Sequence, residues 1–192
     1  MNLWIVIAIV AVLIVVFVVA TYNKLIAEIE MVRNAEKQID IQLDRRSKVF
    51  DSLINVVKKY MDYEQTTLKD IVALRSQANQ AKANGDVVGR MDAENKVSQI
   101  AQGLSIQFEQ YPDLKANQNV MQLQEEITST ENKLAYSKQG FNDAIEVYNA
   151  HKKSFFTSMV VSMFKKLNCD FIYWNISQER KEALEDSRVN FN

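Results

Sequence analysis

The sequence predicts an all-α protein in which an N-terminal transmembrane helix precedes a bundle of long helices. Only four Gly and one Pro occur in 192 residues, so the chain has few of the turn residues that hairpins and sandwiches need. The first stretch is apolar on every face, whereas later apolar residues recur at spacings of three and four, which is the helical period. The length allows one domain with a hydrophobic core beside the membrane segment.

The first element is the apolar segment Leu3–Ala20, LWIVIAIVAVLIVVFVVA, which contains no charge, Gly or Pro. As a helix it would extend about 27 Å, close to the ~30 Å hydrocarbon core of a bilayer. Trp4 and Tyr22 bracket it, where interfacial aromatic residues are expected. The alternative is a cleaved signal peptide ending at Val18 and Ala20, but no basic segment precedes the run. We therefore expect a retained anchor.

The second element is a long amphipathic pattern from Lys24 to about Lys82, without Gly or Pro. It predicts one helix or two joined end to end. Glu36, Arg46 and Glu64 fall on its apolar stripe. Such residues are either buried and paired or placed at a rim where their stems cover apolar surface. The rim is the preferred interpretation, because these residue types are rarely fully buried.

Two further helical patterns follow. Gly85 is predicted to close the preceding helix and Asp86 to cap the next one. The second amphipathic pattern, after the one at Lys24–Lys82, runs over Val87–Gln110. It ends before Pro112, because a residue preceding proline disfavours helical backbone. The third begins near Asn117, whose side chain can cap exposed amides. Short connections of this kind favour antiparallel neighbours in a bundle.

The segment Phe155–Phe164, FFTSMVVSMF, is apolar but too short to span a bilayer as a helix. It is expected to pack on the bundle or to lie at the membrane interface, and packing is preferred. Residues 175–192 carry charges of both signs with little apolar periodicity, which predicts a loosely ordered tail. The predicted organisation is an anchor at 1–22, a helical bundle at 23–174 and a charged tail at 175–192.

Three stretches of the chain are distinctive: IDIQLDRRSKVFDSLINVV at Ile39–Val57, YPDLKAN at Tyr111–Asn117 and TENKLAYSKQGFNDAIEVYN at Thr130–Asn149. Together with the N-terminal anchor, they resemble the LemA family of bacterial membrane proteins. The resemblance implies an anchored four-helix, up-and-down bundle in the bacterial cytoplasmic membrane, and it implies no reaction and no catalytic residues. The chain departs from the family at Phe155-Phe156, where relatives commonly have Pro after Phe. Without that proline, the third helix could continue into the apolar segment.

Residues that carry common enzyme chemistry are scarce. His151 is the only histidine and Cys169 the only cysteine, too few for a di-iron or zinc site, and neither has an evident partner for nucleophilic catalysis. We expect a surface position for His151 and a small buried hydrophobe at Cys169. The glycines match no phosphate-binding loop. Cations and anions are balanced and interspersed, 23 against 24, which is unlike a nucleic-acid-binding surface. We predict no catalytic residue, metal, cofactor, nucleic acid or small-molecule substrate.

Two polar groups within the helices are chemically unusual: Arg45-Arg46 in the first long pattern and Glu131-Asn132 in the third. A guanidinium can engage a carboxylate through two N–H donors, and such a pair between helices would fix their register. The alternatives are solvated helix faces, a buried register pair or a surface for docking a partner.

The favoured function is a membrane-tethered, noncatalytic interaction or scaffold module, whose partners are the lipid bilayer and either another protein or further copies of itself. The alternative is a self-assembling or membrane-shaping protein. A carboxylate-based enzyme is least favoured, because a long bundle offers no evident cleft. Lys24, Arg33 and Lys37 follow the anchor and no basic residue precedes it. The positive-inside rule therefore predicts that the N-terminus lies outside and the bundle in the cytoplasm.

Overall fold

The computed structural model describes residues 3–57, 65–108 and 117–175, and most of these are helical. Five α-helices follow one another in these ranges, and no strand occurs there. They are α1 (Leu3–Val57), α2 (Gln65–Ala83), α3 (Val87–Phe108), α4 (Gln118–Lys152) and α5 (Phe155–Met163), and a short 3-10 helix follows at Lys165–Leu167. The predicted all-α class is confirmed. Glu64, the predicted stop at Pro112 and the predicted tail beyond Asn175 lie outside the described residues.

The first helix, α1, is a single element of 55 residues that contains both the apolar segment and the start of the amphipathic pattern. No Gly or Pro interrupts the junction. Its first part is long and apolar enough to cross a membrane. The pattern that extends to Lys82 comprises two separate helices, the later part of α1 and all of α2.

The predicted stop between α2 and α3 is confirmed. Gly85 has φ of 72°, a left-handed conformation that glycine adopts without steric cost. Its N–H donates to Lys82 O, and the Asp86 N–H donates to Ala81 O at 2.8 Å, which is the Schellman arrangement at a helix end. Asp86 Oδ1 accepts from the Gly89 N–H at 2.9 Å, so Asp86 caps α3 as expected.

The boundaries of α4 also follow local chemistry. Asn117 Oδ1 accepts from the Asn119 N–H at 3.0 Å and caps the helix start, as predicted. The helix ends at Lys152. Ser154 is extended, with φ −66° and ψ 147°, and its hydroxyl donates to His151 O at 2.9 Å. This helix, α4, corresponds to the third predicted pattern. It therefore stops before the apolar segment although no proline stands there.

Contacts group the chain into two compact units. We call Met1–Ile39 with Ser137–Tyr173 the anchor unit, and Asp40–Tyr136 with Trp174–Asn192 the bundle unit. Both α1 and α4 contribute residues to each unit. These units follow packing, whereas the division predicted at residues 22 and 174 follows composition and stays a prediction.

Four helices share one hydrophobic core in the bundle unit. Its buried members are Val49, Phe50, Leu53 and Ile54 of α1, Ile71 of α2, Val97 and Ala101 of α3, and Val120 and Ile127 of α4. Each large apolar side chain that is removed from water contributes roughly 1.5–3 kcal/mol. Asp40 and Asp51 of α1 pair with Lys82 and Arg75 of α2 respectively, so these two helices run in opposite directions. A short turn then returns the chain along α3, which packs on α2.

In the anchor unit, α1 changes character after the apolar segment, because its residues Leu25, Ile29, Val32 and Ile39 are buried. Buried α4 residues in the same unit are Phe141, Ala144, Ile145 and Tyr148. The start of the amphipathic pattern is therefore packed rather than a free stalk. The hydroxyl of Tyr148 donates to Leu167 O at 2.6 Å and accepts from the Cys169 N–H at 2.9 Å, which ties α4 to the segment after α5.

The helix α5 packs through one face only. Thr157, Val160 and Val161 are buried, so the predicted packing holds for these residues. The remaining large apolar residues of α5 are exposed: Phe155, Phe156, Met159 and Met163.

Candidate functional site

Arg46 of α1 is the most deeply buried of the four polar residues that the sequence singles out, Arg45, Arg46, Glu131 and Asn132. Only 3% of its side chain is exposed. It donates to the Glu94 carboxylate, to Ser98 Oγ at 2.9 Å and to Glu131 Oε1 at 3.3 Å. Burial lowers the pKa of Arg46 below its ordinary value, and the negative charge of Glu131 partly offsets that effect. We call Arg46, Glu94, Ser98 and Glu131 the Arg46 cluster.

This burial corrects one interpretation of the sequence. Arg46 was expected at a rim, but it lies four residues before Phe50 on the buried stripe of α1. The charge is tolerated there because two carboxylates and a hydroxyl accept from the guanidinium. Glu36, which falls on the same stripe, is exposed, so the rim interpretation fails for Arg46 and not for Glu36.

The neighbouring Arg45 has a different environment. It remains 41% exposed, and its Nε donates to Glu126 Oε1 at 2.8 Å. Ion pairs exposed to this degree contribute little, typically about 0–1 kcal/mol. Asn132 lies on the exposed side of α4 and is not part of the Arg46 cluster. Of the four predicted polar residues, the structure therefore brings only Arg46 and Glu131 together.

A polar pocket of about 280 Å³ lies beside Arg46 within the bundle unit. Asp40 is among its lining residues, and Lys82 donates to it at 3.0 Å while Arg90 also donates to it. Burial alone would raise the pKa of Asp40, but the hydrogen bonds and charges of Lys82 and Arg90 outweigh it and hold the pKa below the ordinary value. This pocket therefore favours an ionised Asp40.

The chemistry of the pocket is that of matched charges. Four cations line it: Arg46, Arg75, Lys82 and Arg90. Each has a carboxylate partner, which is Glu94 for Arg46, Asp51 for Arg75 and Asp40 for the other two. Little positive charge is left for an anionic ligand. Within the described ranges, no group of three or more His, Cys, Asp or Glu could hold a metal ion. The arrangement is suited to fixing helix positions.

Sequence reasoning missed the contribution of α3 to this site. Arg90, Glu94 and Ser98 recur every four residues and are all buried. That spacing places them on one helix face, and a polar row beside buried Val97 was the available signal. Periodicity could show the row, but it could not show that Arg46 of α1 faces it.

His151 and Cys169 belong to the anchor unit. His151 Nδ1 lies 3.0 Å from Glu28 Oε2, and its side chain is half-buried. His151 is therefore less exposed than expected, and Glu28 of α1 supplies a carboxylate partner. Cys169 is a half-buried free cysteine.

The predicted membrane residues line the start of α1. Leu3 and Trp4 are 71% and 81% exposed, and Ala20 is exposed as well. Tyr22 is half-buried, and its ring lies edge-on to Phe164 with centroids 5.1 Å apart. The exposed residues give this part of α1 an apolar surface suited to lipid.

Comparison with known proteins gives a consistent result. The model of the LemA family matches residues 35–191. The chain is also similar to Protein LemA of Metamycoplasma hominis, at 26% identity over 146 residues. That alignment covers 76% of this chain and 66% of the relative, so it spans just under two thirds of the relative's length. The family match includes the whole Arg46 cluster.

Proposed function

This chain belongs to the LemA family, and we propose that it is a membrane-tethered, noncatalytic helical module that serves as a scaffold or interaction surface. The observation that carries the proposal is the continuity of α1 within the anchor unit. The same helix leads from the apolar segment Leu3–Ala20 to the buried Leu25, Ile29 and Val32. Leu25 stands five residues beyond Ala20, about 7.5 Å along the helix. A helix without a break would hold the packed residues at a set distance from the bilayer.

The noncatalytic part of the proposal is supported by how the reactive groups are used. His151 is engaged by Glu28, and the pocket arginines and lysine are engaged by carboxylates. We expect the His151→Gln and Cys169→Ala variants to complement any phenotype of a deletion strain fully, with protein levels matched by immunoblotting. Loss of complementation by either variant at a normal protein level would contradict a noncatalytic role.

We further propose the bacterial cytoplasmic membrane as the location, with the N-terminus outside. Lys24, Arg33 and Lys37 follow the apolar segment, and basic residues near a span tend to stay in the cytoplasm. Reporters fused after Asn192 test this orientation. A cytoplasm-dependent reporter should be active and an export-dependent phosphatase inactive, and the reverse result would overturn the assignment.

The proposal of a protein partner can be tested by photocrosslinking in intact membranes. A photoreactive residue at Tyr136 or Val72, which are exposed apolar positions of the bundle unit, should crosslink to another polypeptide. The same residue at exposed Asp92 provides a polar control. Adducts at twice the mass of the chain would favour the self-assembling alternative. Yields at Tyr136 and Val72 no higher than at Asp92 would contradict both forms of association at these positions.

A further inference from the structure

The outward face of α5 is a continuous apolar surface. At about 100° per residue, Phe155, Phe156, Met159 and Met163 fall within one ~100° arc of the helix. Phe155 and Met163 are 69% and 68% exposed. The buried residues Thr157, Val160 and Val161 lie on the opposite side. The exposed arc is thus not a by-product of loose packing, because the helix already has a separate face for the protein interior.

Ring contacts place α5 beside the end of the apolar segment of α1. The ring of Phe156 contacts the ring of Phe17 edge-on, with centroids 6.3 Å apart. Phe17 lies three residues before the end of the apolar segment at Ala20, which is about 4.5 Å along the helix. At the other end of α5, Phe164 contacts Tyr22, just beyond the apolar segment. A bilayer around Leu3–Ala20 therefore has its boundary at the level of α5.

Charge at the ends of α5 agrees with this position. Lys153 precedes the helix, Lys165 and Lys166 follow it, and all three side chains are exposed. Lysines that flank a short apolar helix can reach anionic headgroups while the apolar residues enter the acyl boundary. The helix itself has nine residues, too few to span a bilayer.

We propose that α5 is an interfacial helix, which inserts its Phe155, Phe156, Met159 and Met163 face into the boundary of the same bilayer that α1 crosses. This inference rests on the proposed tether. The chain then contacts the membrane twice, through a spanning helix and through a helix lying beside it. The second contact restricts rotation and tilt of the anchor unit in a way that one spanning helix does not.

Depth-dependent fluorescence quenching tests the inference in the full-length chain. The native thiol is replaced by Cys169→Ser, and a polarity-sensitive label is attached at Met159→Cys, Val12→Cys or Gln139→Cys. Positions 159, 12 and 139 are exposed, so the labels should not disturb packing. Each protein is reconstituted into vesicles of phosphatidylcholine and phosphatidylglycerol that carry a nitroxide either near the headgroup or near the chain end.

The label at Met159→Cys should lose fluorescence mainly to the shallow nitroxide, the label at Val12→Cys mainly to the deep one, and the control at Gln139→Cys to neither. Quenching at position 12 with none at position 159 would overturn the interfacial helix and leave the tether intact. No quenching at position 12 would overturn the tether itself. A blue-shifted but unquenched label at 159 would show that protein covers the face, which would also overturn the proposal.

Discussion

The anchor unit and the bundle unit both contain parts of α1 and α4, but different interactions stabilise the interior of each unit. In the anchor unit, the hydroxyl of Tyr148 bonds to backbone groups around Leu167 and Cys169, and its ring lies edge-on to Phe171 at 5.4 Å. In the bundle unit, a four-helix apolar core lies beside the buried charges of the Arg46 cluster.

The difference shows where a helical protein needs polar side chains to fix the register of its helices. Four helices with similar apolar stripes can slide or exchange neighbours at modest cost, because apolar contacts are not directional. A buried charge with specific partners penalises every register that separates them. In the anchor unit, the Tyr148 hydroxyl is bonded to backbone groups at Leu167 and Cys169, and His151 pairs with Glu28 of α1. These hydrogen bonds, rather than those of a buried arginine, position α4 there.

The largest expected effect comes from placing a charge in either core. Leu53→Asp in the bundle unit and Phe141→Asp in the anchor unit should each cost more than about 4 kcal/mol of unfolding free energy, because a large apolar side chain is replaced by a buried carboxylate. Leu53 is fully buried and Phe141 nearly so. Circular dichroism melts of the full chain in nanodiscs provide the measurement, with exposed Asn55→Asp as the matched control. An unchanged midpoint for Leu53→Asp would mean that the core assignment is wrong.

A smaller and more local effect is expected from Tyr148→Phe. The ring remains, but the Cys169 N–H and the Leu167 carbonyl lose their hydroxyl partner, at a cost of about 1–3 kcal/mol. Hydrogen exchange should accelerate at the Cys169 amide while amides of α2 and α3 stay protected. Tyr136→Phe, at an exposed position, serves as the control. Equal acceleration in α2 and α3 would remove the distinction between the two units.

The smallest effect concerns Asp40, which lines the pocket. Its folded-state pKa is below the ordinary value, so its contribution to stability is present above the ordinary pKa and is lost as the pH falls through the folded pKa. Asp40→Asn should therefore destabilise by about 1 kcal/mol or less at neutral pH, and the difference should shrink below about pH 4. Melts at several pH values check this, with Asp44→Asn as the exposed control. A difference that grows on acidification would contradict the assigned pairing.

Local features of the fold were predictable because nearby residues determine them. Gly85, Asp86 and Asn117 were identified as caps from residue type and position, and each makes the expected hydrogen bonds or backbone conformation. The apolar stripe of α1 was likewise visible as a spacing. The spacing does not decide between one helix and two over the long pattern, because no Gly or Pro lies between Lys24 and Lys82 to mark a break.

The polar site was only half predictable, since its partners come from distant parts of the chain. Arg46 and Glu131 could be singled out as unusual residues within helices, but the bond from Arg46 to Glu94 joins residues 48 positions apart. Helical periodicity shows which side of a helix is buried and not which neighbour covers it. The same reason explains why Glu28 was not predicted to meet His151.

We propose that the Arg46 cluster fixes helix register and performs no chemistry, and a double-mutant cycle on Arg46 and Glu94 tests this role most directly. Arg46→Met alone should cost about 3–5 kcal/mol because Glu94 is left buried without its partner, whereas Arg45→Met at the exposed pair should cost less than about 1 kcal/mol. The variant carrying both Arg46→Met and Glu94→Gln should be more stable than Arg46→Met alone, with a coupling of about 1–3 kcal/mol. It should also complement a deletion strain. A double variant that folds stably but fails to complement at a normal protein level would contradict a purely structural role and make the cluster a functional site.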